Sequence, residues 1–305
     1  MVLQIDAVQQ SCHLIARQMR DYARTLHLSF IVHRSGQRLE SLSLAGQELL
    51  SHPAGEAAIR LMRGQKGGEH SAFLGLAAWS ENLFLGLASR QHMIALTTLN
   101  IDEFESQREI RTQAWHMAWH AIHFYNQRHK PGREKIFRDG IIFADYDDDM
   151  LLSANLRADA FSAVLCAMNG DKDSIRRLAC TRSMDSLIRR AGYNPENYPF
   201  PLAMEATQIA FSELAGKPPS INRQISVAWQ LAENINRAYD GDALQQWVHF
   251  CGPAQNMAWR GEEKDIILGA AVSSSQDTYV RATGFLVSDI TQIEPASILS
   301  LEGRY

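Results

Sequence analysis

Apolar residues recur at three- and four-residue steps from the start of the chain: Val8, Cys12, Ile15, Met19, Tyr22 and Leu26. That period paints one face of a helix, so an amphipathic helix is predicted over 4–26. The next stretch, LHLSFIVHRSGQRLESLSL, alternates loosely and turns at Ser35-Gly36, which predicts a short hairpin. Residues 44–64 read as a helix interrupted by Pro53 and Gly55. GQKGGEH at 64–70 is a Gly-rich loop without the GK[ST] ending of a phosphate loop, so it reads as a linker turn. Residues 70–100 are apolar with weak periodicity, and Met93 to Leu99 fit a buried strand.

From 103 to 128 the pattern inverts. EFESQREIRTQAWHMAWHAIHFYNQR holds no Pro and no Gly, and a continuous helix is predicted, capped by Asp102 with Glu103 and Glu105 in its first turn. At 100° per residue from His116, His120 lies at about 40°, His123 at about −20°, Glu109 at about 20° and Glu105 at about −20°. Ala114, Trp115, Met117, Ala118, Trp119, Ala121, Ile122, Phe124 and Tyr125 cover nearly every other direction. A helix apolar almost all round is a buried one. Its polar arc is then made of imidazoles, and leaving a buried polar group unmatched costs about 1–3 kcal/mol. Something therefore faces the stripe: a carboxylate, a backbone carbonyl, a water or a metal.

Pro131-Gly132 ends that helix, and KIFRDGIIFADYDDD at 135–149 reads as a short β-pair across Asp139-Gly140. Helices follow at 150–168, stopped by Asn169-Gly170, and at 171–191, ended by Gly192. YNPENYPFP is an extended connector, and further helices are predicted at 202–215, 221–238, 242–250, 253–260 and 262–272. TYVRATGFLVSDI carries no decisive pattern, and the chain shows no internal repeat. The fold class expected is mainly α, a multi-helix fold with a small sheet or hairpin. An N-terminal segment over 1–100 precedes a helical body over 101–305.

Composition narrows the function classes. The 305 residues are 46% hydrophobic, enough for a substantial core. A net charge of −4 gives no footprint for nucleic acid. No apolar run approaches the ~20 residues that span a bilayer, and MVLQIDAVQQSCHLIARQMR does not read as a leader. Cys12, Cys166, Cys180 and Cys251 form no CxxC, which suits reduced thiols and a cytoplasmic protein.

Histidines four apart sit about 6 Å apart along a helix axis, on one face. Both can reach one Zn²⁺ at about 2.0–2.1 Å. His123, about 10 Å from His116, is too far to share that ion. His116 and His120 are the candidate pair. WHMAWHAIH at 115–123 resembles the helix of the short gluzincin-type zinc peptidases, which read HExxH, often with a further His three residues on. Their third ligand is a Glu on the next helix, in a pattern like E-x-x-A-[DN]-x-F-A. Here Asn155-Leu156-Arg157-Ala158-Asp159-Ala160-Phe161-Ser162 stands in that place.

The resemblance covers about 105–168 and implies a zinc site on His116 and His120, completed by Asn155 or, one turn on, Asp159. Glu109 and His123 would then support the ligands from outside the coordination shell. Two departures matter. Met117 stands where the family's general-base Glu belongs, and a thioether cannot take a proton from a metal-bound water. Asn155 replaces a carboxylate ligand with a neutral amide. The resemblance therefore implies a degenerate member with no catalytic residue of its own.

Asp145, Asp147, Asp148 and Asp149 form an acidic patch that suits either a hard cation or, through Asp149, a helix cap. His249, Cys251 and Trp259, in WVHFCGPAQNMAWR, read as core. Two functions follow from different classes. One is a metal-binding, peptidase-like protein acting on or holding a peptide. The other is a non-catalytic helical interaction or regulatory protein whose histidines are structural.

Overall fold

The computed structural model describes residues 5–39, 59, 62–63, 66, 68, 71–83, 88–104, 107–127, 141–143, 148–171, 174 and 220–238. The chain divides into two compact units, 1–145 and 146–305.

In the first unit, helix α1 spans Ile5–Tyr22. Its spaced apolar residues Val8, Cys12, Ile15 and Met19 are all buried. The helix stops earlier than its apolar spacing suggests: Ala23 N–H donates to the Met19 carbonyl, and Leu26 opens strand β1, Leu26–His33. Strands β2, Ala72–Leu83, and β3, Ala88–Asn100, follow, then helix α2, Gln107–Gln127, and strand β4, Ile141–Phe143. The sheet order is β1-β3-β2-β4. β2 is antiparallel to both β3 and β4, whereas β1 runs parallel to β3, Leu26 opposite Met93 through His33 opposite Asn100.

This corrects the mainly α expectation. The described residues form a mixed α/β fold, with four α-helices and a four-stranded mixed sheet. Met93 to Leu99, predicted as a buried strand, is the middle of β3, and the strands around it carry the sheet beyond the short hairpin expected. Met93, Ala95 and Leu99 on one side of β3 and Ile94, Leu96, Thr98 and Asn100 on the other are all buried. A strand covered on both faces loses the polar alternation that identifies a half-exposed one. β2 also carries one extra residue between Phe73 and Gly75, a bulge that breaks its periodicity further.

α1 packs on β1 and on α2, and α2 also packs on β1, β2 and β3. Phe73 stacks on α2, so its neighbours across the ladders, Thr97 and Phe30, share the α2 side of the sheet.

α2 begins at Gln107, not at 103. Residues Ile101–Glu103 form a separate 3-10 turn, and Phe104 is extended. Asp102 does not cap α2; it pairs with Arg34 at 2.5 Å, while Glu103 accepts from the backbone N–H of Ser71 at 2.7 Å. Tertiary bonds thus claim the residues expected to start the helix. The predicted turn at Ser35-Gly36 is present, with Gly36 in the left-handed region at φ 77°. The second arm of that hairpin lies outside the described residues. β4 pairs with β2, and the other arm of the expected 135–149 pair lies outside the described residues.

In the second unit, helix α3 covers Asp148–Met168 and helix α4 covers Ile221–Ala238, as their patterns predict to within two residues. α3 ends where Asn169-Gly170 predicts. Gly170 has φ 68°, Asp171 N–H donates to the Cys166 carbonyl at 2.9 Å, and Gly170 N–H donates to that of Ala167 at 3.0 Å. This six-to-one and five-to-two pair is the Schellman closure. α3 and α4 pack together, joined by Arg157 to Glu233 at 3.2 Å and by Asn169 to Gln224 at 3.1 Å. The helices expected within 171–215 and 242–272 lie outside the described residues, as does nearly all of the one over 44–64. No helix among the described residues is long and apolar enough to cross a membrane.

Candidate metal centre

α2 is buried as its all-round apolar surface requires: Ala114, Trp115, Met117, Ala118, Trp119, Ala121, Ile122 and Phe124 are all buried. His116 and His120 are buried with them, at 3% and 4% exposure. One helical turn brings the two imidazoles together, with ring centroids 5.0 Å apart and planes at 57°. Their Nε2 atoms are 3.2 Å apart. Two ligands bound at 2.0–2.1 Å to one tetrahedral ion stand about 3.3–3.4 Å apart. The pair is therefore spaced to chelate a metal without rearrangement. The same separation also accommodates one shared proton, an N–H on one ring donating to the lone pair of the other.

Aromatic rings fix the pair from the sides. Phe73 on β2 stacks on His120, centroids 6.2 Å apart and planes 17° apart, and on Phe124 at 5.2 Å. Trp119 meets His120 edge-on at 5.2 Å. Its other neighbour is His123, stacked at 4.8 Å and 18°. The Gln127 amide donates to His123 Nε2. So His123, on the same stripe by sequence, is engaged along the helix toward its C-terminus. Glu109 is half-buried in the first turn, about 10 Å along the axis before His116. Glu105 lies outside the described residues.

Asn155 and Asp159 belong to the second unit. They lie one turn apart on α3 and are buried, at 8% and 2% exposure, among Ala154, Leu156, Ala158, Ala160 and Phe161. Ser162 Oγ donates to the Asp159 carbonyl at 3.0 Å. Among the described residues no group of three His, Cys, Asp or Glu converges as a metal site. The residues therefore fit two positions of a coordination shell. Of the acidic patch, Asp145 and Asp147 lie outside the described residues, and so do His249, Cys251 and Trp259.

Sequence reasoning missed Phe73, because nothing in an apolar run says which residue will cross to a distant helix. It also missed His33. That side chain is 1% exposed; its Nδ1 donates to the Arg34 carbonyl at 3.0 Å, and its Nε2 has no hydrogen-bond partner.

Cys12 behaves as a small buried hydrophobe. Burial pushes its thiol up to about 12, which at pH 8 leaves about one thiolate in ten thousand. Native protein treated with iodoacetamide at pH 8 is expected to leave the Cys12 peptide unmodified, and urea should make it react. Rapid native labelling at Cys12, read by peptide mapping, would contradict its burial.

No protein-family model, no curated protein and no solved structure matches the chain.

Proposed function

We propose that this protein binds a divalent transition-metal ion through His116 and His120 and does not hydrolyse peptides. The observation that carries the reading is the 3.2 Å separation of the two Nε2 atoms on a buried helix. Imidazole donors suit Zn²⁺, Cu²⁺ or Ni²⁺ rather than Mg²⁺ or Ca²⁺, and zinc is the ion that the gluzincin-like WHMAWHAIH favours. Such an ion supplies a Lewis acid where it is bound. The chain supplies no proton acceptor beside it in sequence: Met117 is a buried thioether. General-base assistance is typically worth about 10²–10⁴-fold, so a site lacking it should turn over little. A holding or regulatory role, with a peptide or protein as partner, follows more naturally than proteolysis. A cytoplasmic setting agrees with the buried Cys12 thiol, which is in no disulfide. The net charge of −4 argues against nucleic acid as the partner.

The test is zinc titration of the full chain after chelation and dialysis. His116→Ala and His120→Ala, each checked for native circular dichroism, are expected to lose the equivalent that wild type binds. Asp159→Ala run beside them asks whether the sequence-expected carboxylate adds affinity. No zinc-dependent cleavage of unfolded or repressor-like substrates is expected. Metal uptake unchanged in both histidine variants would leave the pair as a proton-sharing core element, the structural reading. Cleavage that disappears in His116→Ala would overturn the non-hydrolytic one.

A further inference from the structure

A second pair of histidines converges on the sheet, and no pattern in the sequence announces it. Register places it. Leu26 stands opposite Met93 in the parallel β1–β3 pair, and Met93 N–H donates to the Thr25 carbonyl at 2.8 Å. His27 is opposite Ile94, so His27 and His92 are diagonal neighbours on the same side of adjacent strands. That side is the one turned away from α2, since it alternates with the positions sharing a side with Phe73. His27 Nε2 and His92 Nδ1 are 3.3 Å apart, with ring centroids at 5.5 Å and planes at 40°.

We propose that His27 and His92 form a half-buried site for a divalent transition-metal ion of the Zn²⁺ class, which Ni²⁺ and Cu²⁺ can probe. Three observations carry it. The ring nitrogens stand at the separation, about 3.3 Å, that two tetrahedral ligands require. Their backbones are held by ladder hydrogen bonds on both sides of β3, so the pair is preorganised rather than flexible. Both side chains are half-buried, which lets the ion arrive and lets water complete its shell. The buried His116–His120 pair shares the spacing but not this access. The two ligands also come from strands far apart in sequence, so an ion bridging them clamps β1 to β3. Binding only the folded state, it would raise stability by mass action.

The experiment uses the full chain stripped of metal, with Ni²⁺ and Cu²⁺ as probes. Wild type is expected to take up an equivalent that His27→Gln and His92→Gln each lose while keeping native circular dichroism. Its Tm should rise with Ni²⁺, and that rise should be smaller in both variants. The His116→Ala and His120→Ala variants should retain this equivalent, so failure of this site and failure of the α2 site are read separately. Substoichiometric Cu²⁺ should broaden the amide signals of Thr25, Leu28 and Met93 before those of α2. Stoichiometry and Tm shift unchanged from wild type in both Gln variants, or early broadening elsewhere, would overturn the proposal. Should a Gln variant fail to fold, the broadening pattern in wild type decides alone.

Discussion

Trp119→Ala is expected to destabilise the first unit by about 3–5 kcal/mol, the range for emptying a buried large aromatic site. Trp119 is fully buried. Its indole fills the space between His123, on which it stacks, and His120, which it meets edge-on. A domain of ordinary stability has only about 5–15 kcal/mol in hand. Urea denaturation followed by circular dichroism should therefore show a large fall in the midpoint, and Trp119→Phe a smaller one. A Trp119→Ala midpoint within error of wild type would mean that α2 is not packed as described. The same variant should also weaken zinc uptake, because it removes the ring against which His120 is oriented.

Asn100→Ala should cost about 2–3 kcal/mol, from the loss of three side-chain hydrogen bonds each worth about 1 kcal/mol net. Asn100 is 1% exposed at the end of β3. Its Oδ1 accepts from Asp102 N–H at 3.0 Å, starting the 3-10 turn. Its Nδ2 donates to Ser35 Oγ at 2.8 Å and to the Gly68 carbonyl at 3.2 Å. One amide thus ties together the turn after β1, the loop before β2 and the exit from β3. Asn100→Asp keeps the acceptor but loses both donors and sets a buried carboxylate against the Gly68 carbonyl, so its denaturation midpoint should fall at least as far as that of Asn100→Ala. Equal stability of all three would show that the knot contributes nothing.

The sequence was most readable where one side of an element meets solvent. α1 and α4 show this: Val8, Cys12 and Ile15, and Ile225, Ala228 and Ala232, are buried at helical spacing. α3 was readable by its end signal, Asn169-Gly170. β2 escaped notice for the opposite reason. Gly75, Leu76 and Ala77 are buried in succession, so no polar alternation marks it, and the segment joining it to β3, Phe84-Leu85-Gly86-Leu87, has no polar turn signature. The start of α2 was misplaced because Asp102 and Glu103 look like cap residues, yet they bond to Arg34 and Ser71, far away in sequence. The His116–His120 contact was legible because it is local to one helix turn. The His27–His92 contact was not, because parallel pairing is a property of the fold and not of either segment.

That parallel pairing has a kinetic side. β2 and β3 are joined directly and zip from Leu83 opposite Ala88. β1 can add only after the chain from Leu26 to Met93 has closed into a loop. Loop closure must be completed before the contacts that reward it, so low-separation pairs form first and long-range ones limit the rate. The hairpin is then the early structure of the first unit. Until α1 and β1 dock, one edge of β3 is a bare row of peptide groups, open to another chain. Mutations that loosen α1 from β1 would lengthen that interval, and misassembly during refolding would be governed by protein concentration more than by the stability of the finished sheet.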